Sequence, residues 1–213
     1  MFRSVDSCLF PVKERGLYQQ APISRFTNTM VNTDVLQQWC VLANRAAVTL
    51  TGERNNCIAA SLALVEYLAT QGIEASVFRA EARAELDPYI ARIYSMDSAV
   101  DTVGCGSRPP GRLGWFGHLA VSCGPYVLDP TLDQLLVDGR RPKPVVFAKP
   151  GGWSSGTWRN YQDGDLNVHH RRHDLQIGWK SKPAARRSQY MQVFDLMISL
   201  RAGTPDLASS ALP

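Results

Sequence analysis

No run of about eighteen apolar residues occurs in the 213-residue chain, so a membrane-spanning helix is not expected. The start, Met1-Phe2-Arg3-Ser4-Val5-Asp6, lacks the apolar stretch of a cleaved signal. Cytoplasmic location is therefore the expectation, with export by a route without a cleaved signal left open. Cysteine is sparse: five residues, an odd number at irregular spacing, form no disulfide framework and point to a reducing compartment. Histidine is scarcer still, and of the four only His118 precedes position 169. Neither sign of charge dominates: the net charge of +4, concentrated in the C-terminal third, permits an acidic partner without demanding one. Internal repeats are absent.

What is present is ordinary for a globular chain, 45% hydrophobic and 20% charged, and long enough for one sizeable core. Residues 1–31, with Pro11 and Pro22, read as an N-terminal arm. Residues 32–202 read as a single domain with a basic C-terminal extension, and 203–213 as a disordered tail. A helix is predicted over 34–50, with Val35, Leu36, Trp39, Leu42, Ala43 and Ala46 as its apolar set. Strands are predicted over 73–80, 142–148 and 174–179, with 89–96 as a further candidate, and an amphipathic helix over 188–200. The Gly/Pro-rich stretch 103–111 reads as a loop that leads through Trp115-Phe116-Gly117 to His118 and borders a cleft.

Two stretches carry chemistry. The first is Arg54-Asn55-Asn56-Cys57-Ile58-Ala59-Ala60-Ser61, which opens an apolar helix ending near Gly72. Ile58, Leu62, Val65 and Ala69 follow at helical spacing, and Leu64 and Leu68 widen the stripe. Asn55 or Asn56 caps the start, and Gly72 supplies a left-handed stop. A thiol at a helix N-terminus feels the positive end of the macrodipole, which favours thiolate. Buried cysteines more commonly serve as small hydrophobes, so position alone does not make Cys57 a nucleophile.

The second stretch, Gly117-His118-Leu119-Ala120-Val121-Ser122-Cys123-Gly124-Pro125-Tyr126-Val127-Leu128-Asp129-Pro130, reads as a β-hairpin. Pro125 cannot donate to a ladder, which favours a four-residue loop over 122–125. Val121 then faces Tyr126 and His118 faces Asp129, close enough for a carboxylate to orient an imidazole. A two-residue loop is expected to keep that pairing and a three-residue loop to lose it.

Cys57, His118 and Asp129, in the order nucleophile, base, orienter, together with Asn56-Cys57, the helix end Tyr67-Leu68-Ala69-Thr70-Gln71-Gly72, Gly117-His118-Leu119-Ala120-Val121 and Tyr126-Val127-Leu128-Asp129-Pro130-Thr131, resemble the transglutaminase-like superfamily. The resemblance covers roughly residues 50–135. It implies an α+β, papain-like fold in which a central nucleophile helix packs on an antiparallel sheet. It also implies a cysteine enzyme: a thiol peptidase or deamidase acting on amide bonds of a protein or peptide, or, with an amine acceptor, a transglutaminase or N-acyltransferase. The oxyanion or substrate would be met by the Cys57 backbone with Asn55, Asn56 and Trp115, and no metal or cofactor is required. Papain-like peptidoglycan hydrolases usually carry Asp-Cys, and arylamine N-acetyltransferases Arg-Gly-Gly-x-Cys; Arg54-Asn55-Asn56-Cys57 matches neither. Cys105, in the glycine loop without a helix dipole, is the weaker second candidate for a reactive thiol.

A reading of another class attaches to the C-terminal third. His169-His170-Arg171-Arg172-His173, Lys180, Lys182, Arg186 and Arg187 are interleaved with Trp153, Trp158, Tyr161 and Trp179. Such a mixture serves a non-catalytic binding module or single-stranded nucleic acid, and more commonly a solvated face over core aromatics. His169 or His170 with His173 has zinc spacing if helical, but no further ligand completes a tetrahedral site.

Overall fold

The computed structural model describes residues 32–52, 56–88, 100–103, 118–149, 151, 153–154, 156–173 and 179–203. The N-terminal arm, Asn55, the 89–96 candidate strand, the loop holding Cys105 and Trp115, the segment 174–178 and the tail from 204 onward lie outside the described residues.

Asn32 opens helix α1 (Thr33–Thr51), its side-chain oxygen accepting the Asp34 N–H at 2.8 Å, and Gly52 at φ 85° ends it. The predicted apolar set, Val35, Leu36, Trp39, Leu42, Ala43 and Ala46, is buried throughout. Helix α2 (Cys57–Thr70) ends as expected at Gly72, φ 71°. The Ile73 N–H bonds the Leu68 carbonyl and the Gly72 N–H that of Ala69, each at 3.0 Å, the paired closure that a left-handed glycine allows. The buried face of α2 differs from the predicted stripe: it centres on Ala60, Ser61, Leu64, Tyr67 and Leu68, and Ala69 is exposed. The helix carries apolar residues on nearly every face, so periodicity could not say which one the sheet would cover. The predicted 188–200 helix is α3 (Arg187–Ala202), anchored by Val193 and Met197.

Strands β1 (Ala75–Leu86), β2 (Val100–Val103), β3 (His118–Cys123), β4 (Tyr126–Asp129), β5 (Val145–Ala148), β6 (Trp158–Asp163) and β7 (Leu166–His173) form one antiparallel sheet. Its order is β5-β4-β3-β1-β7-β6, with β2 also on β1. Among the described residues the architecture is thus mixed, with three α-helices and an antiparallel sheet. No helix among the described residues is long and apolar enough to cross a membrane.

Strand β1 organises both faces. Ala75 and Val77 join Val121, Cys123 and Leu128 against α1, α2 and α3. The alternate residues Phe78, Ala80, Ala82, Ala84 and Leu86 face the other way and are buried. There the sheet curls on itself, so that Phe147 of β5 meets Tyr161 of β6, ring centroids 5.8 Å apart, although these strands stand at opposite ends of the order. Alanine at three successive inward positions leaves room inside this curl for larger groups from other strands.

Two expectations are corrected. β1 runs past Ala80 to Leu86. Trp179 does not end a strand but opens a 3-10 turn, Trp179–Ser181. A hairpin not expected at all, β6 to β7, turns through Gly164-Asp165, with Gly164 at φ 59°. That turn matches Gly124-Pro125 between β3 and β4, where Gly124 has φ 50°. Glycine at the first central position is what a two-residue hairpin turn of this hand requires.

Candidate active site

The β3–β4 register departs from the expected one by two residues. Cys123 pairs with Tyr126 and Val121 with Leu128. Pro125 sits at the second central position of a two-residue turn, where no ladder N–H is needed, so its missing donor never lengthens the loop. A slip of two keeps every side chain on its own face. Continued along the strands, it places Asp129 beside Ala120 and makes His118 its diagonal neighbour, still within reach.

His118 and Asp129 lie inside the curl, both fully buried, with His118 Nε2 2.6 Å from Asp129 Oδ2. The other carboxylate oxygen, Oδ1, accepts the Thr131 N–H at 3.1 Å. Burial alone would lower the His118 pKa. The Asp129 charge and hydrogen bond, followed by hydrogen bonding and charge from Cys57, outweigh it and raise the value from 6.5 to about 10. Burial would likewise raise Asp129, but the charge and hydrogen bond of His118, then those of His170, hold it below the usual carboxylate range.

Cys57 is the first residue of α2, nearly buried among Ile58, Leu119 and Trp179. His118 Nδ1 makes no hydrogen bond of full geometry, and Cys57, at the start of α2, is the thiol that acts on the ring. Ser61, one turn further along the same helix face, donates to the Leu119 carbonyl at 3.0 Å in a buried bond. That bond ties α2 to β3 next to His118 and sets the spacing between thiol and imidazole. Asn56 is buried at the N-cap but makes no capping bond: its Nδ2 donates to the Gly52 carbonyl at 3.3 Å, and its Oδ1 has no hydrogen-bond partner. Its expected side-chain cap is therefore absent. Asn55 and Trp115 lie outside the described residues.

Sequence reasoning missed His170. On strand β7 its Nε2 lies 2.8 Å from the same Asp129 Oδ2 that meets His118, and its Nδ1 lies 3.3 Å from the Tyr161 hydroxyl. The Tyr161 ring stacks on it, 5.7 Å between centroids and 17° between planes. The signal was present as an alternation, Leu166, Val168, His170, behind a Gly-Asp turn, but the polar members hid it. The helical spacing considered for His169-His170-Arg171-Arg172-His173 gives way to β structure, and neighbouring residues point to opposite faces.

The basic third divides accordingly. Arg171, outside, pairs with Glu81 and stacks over Trp158 at 4.8 Å. Arg172, inside, lies over Phe78 at 5.8 Å. Tyr161 and Trp179 are core residues, whereas Trp158 stays 40% exposed. Trp158, Arg83, Glu85, Asn160 and His169 line an open hollow of about 330 Å³ on the outer face. Comparison with protein families, curated proteins and solved structures finds no match to this chain.

Proposed function

We propose that the chain is a cysteine-nucleophile acyl-transfer enzyme of the transglutaminase-like, papain-like type, most simply a thiol peptidase or deamidase acting on amide bonds of a protein or peptide. The observation that carries this reading is one imidazole gripped on Nε2 by a buried carboxylate and influenced by a cysteine at a helix N-terminus. An ionised carboxylate only accepts hydrogen bonds, so His118 Nε2 keeps its proton and Nδ1 is the nitrogen that exchanges one.

In this reading Nδ1 takes the Cys57 proton and Sγ attacks the carbonyl carbon, forming an S–C bond and placing the electron pair on oxygen. The N–H groups at the first turn of α2 are the donors for the developing oxyanion. The imidazolium returns its proton to the leaving nitrogen, the C–N bond breaks and a thioester remains. His118 then removes a proton from water, the hydroxyl adds to the thioester carbon, and the C–S bond breaks to restore the thiol. An amine in place of water gives transfer. Asp129 supports the imidazolium throughout.

The test is intact-mass analysis after mixing with an activated ester or a glutamine-containing peptide. The parent should gain the acyl mass and Cys57→Ala should not. A parent that never acquires an adduct with any activated acyl donor counts against the proposal.

A further inference from the structure

The Asp129 carboxylate serves two imidazoles through a single oxygen, and the reaction outlined above uses only one of them. His118 Nε2 approaches Oδ2 at 2.6 Å from β3, and His170 Nε2 approaches the same atom at 2.8 Å from β7. Both rings are buried, and so is the carboxylate. Because the ionised carboxylate offers lone pairs and no proton, each of the two facing nitrogens must carry its own hydrogen. Both bonds are charge-assisted, in a buried setting where each lone pair given to one donor is withheld from another.

We propose that His170 is a positioning residue for the Cys57–His118 pair. It occupies the second lone pair of Asp129 Oδ2, fixes the plane of that carboxylate, and moderates the carboxylate's hold on the His118 proton, while Tyr161 fixes His170 in turn. The inference rests on the acyl-transfer reading for its catalytic meaning, but its geometry and its test stand without it.

Three features make His170 more than filler. Its orientation is held at both nitrogens, by Asp129 on Nε2 and by the Tyr161 hydroxyl on Nδ1. Its ring is clamped between Tyr161, stacked at 5.7 Å, and Phe147, tilted at 5.2 Å. The small Ala82 opposite it on β1 leaves space for the imidazole to cross the interior to β4. Among the described residues, the titratable groups bonded to this ring are Asp129 from β4 and Tyr161 from β6, with His118 from β3 on the same carboxylate oxygen. Cys40 of α1 stands behind Asp129 and bonds the Val145 carbonyl at 3.7 Å. Burial, then the charge of Asp129, keeps the Tyr161 phenol well above its usual range, so its hydroxyl retains its proton beside Nδ1.

The consequence is a graded grip. A second donor on Oδ2 draws negative charge from the oxygen and weakens it as an acceptor toward His118. An imidazolium held too firmly returns its proton slowly to a leaving nitrogen, so sharing the carboxylate favours turnover.

The experiment is nitrogen-15 NMR of the imidazoles in the full chain, which reads the network whether or not Cys57 reacts. In the parent, two slowly exchanging imidazole N–H protons are expected, one on His118 Nε2 and one on His170 Nε2. A single protected proton, on His118 alone, overturns the proposal without the need for any variant to fold. In His170→Phe, which keeps a ring but removes the donor, the His118 titration midpoint should rise by about half a unit or more, and His170→Gln, which restores an N–H donor, should bring it back. A midpoint that stays or falls in His170→Phe overturns the proposal. If Cys57 proves inert while the His118 midpoint still responds to His170, the enzyme reading fails and the positioning role stands.

Discussion

Replacing Asp129 with asparagine keeps a side chain of the same shape that can still accept from His118 Nε2, but removes the buried carboxylate bonded to that ring. In the parent, His118 has its pKa raised in the folded state from 6.5 to about 10. Its contribution is therefore fully present below about pH 6.5 and is lost as pH rises toward 10. Asp129, whose folded value is depressed below 3.8, contributes above that value and loses it as pH falls. These are two ends of one interaction, so the pair stabilises most between about pH 4 and 6.5. Removing one partner of a buried pair costs about 3–5 kcal/mol. At about 1.4 kcal/mol per unit, the His118 shift has the same size. In Asp129→Asn the desolvation that was outweighed becomes the leading influence on His118, and the sign of the alkaline limb reverses: stability falls as pH drops below about 6.5 instead of as it rises above it. Urea unfolding at pH 5, 7 and 9 measures this, with an unchanged m-value as the check that the same cooperative unit unfolds. Parent and variant curves that run parallel across pH would show that the pair does not carry the charge coupling described.

Other consequences follow from single contacts. Ser61→Ala removes the buried bond to the Leu119 carbonyl and should cost about 1 kcal/mol; Cys57 alkylation by iodoacetamide should slow more than that stability loss explains, because the spacing to His118 loosens. Leu64→Ala, at a fully buried position remote from the thiol's own cluster, should cost about 2–5 kcal/mol in denaturant while leaving alkylation of the folded protein within a factor of two. Gly124→Val places a branched side chain at φ 50° and should cost about 1–2 kcal/mol, read as a lowered unfolding midpoint.

The parts of this site that were legible in sequence are those fixed by local chemistry. The helix from Cys57 to its glycine stop, and the strands carrying His118 and Asp129, follow from periodicity and turn residues. The register did not, because Pro125 was weighed as a ladder residue when it occupies a turn centre. Its consequence was small only because an error of two residues preserves the face. The β6–β7 hairpin was hidden for another reason. Its outward side carries Trp158, Asn160, Gln162, Asn167 and Arg171, and its inward side runs from Leu166 and Val168 into His170 and Arg172, so the apolar alternation breaks off after two members and is too short to read as a strand. The third partner of Asp129 thus lay 41 residues away in a stretch that reads as surface. Long-range pairing, invisible to local pattern, brought it in.

The central claim is that His118 and Cys57 act as one chemical unit, and the rate of Cys57 alkylation as a function of pH, in the parent and in His118→Gln, tests it most directly. The account predicts that the parent thiol is alkylated readily at pH 6 and that His118→Gln slows this by at least about tenfold at that pH, with the two rates converging in alkali. Equal rates across the whole pH range would contradict it: Cys57 would then be a core thiol that happens to lie beside a buried histidine.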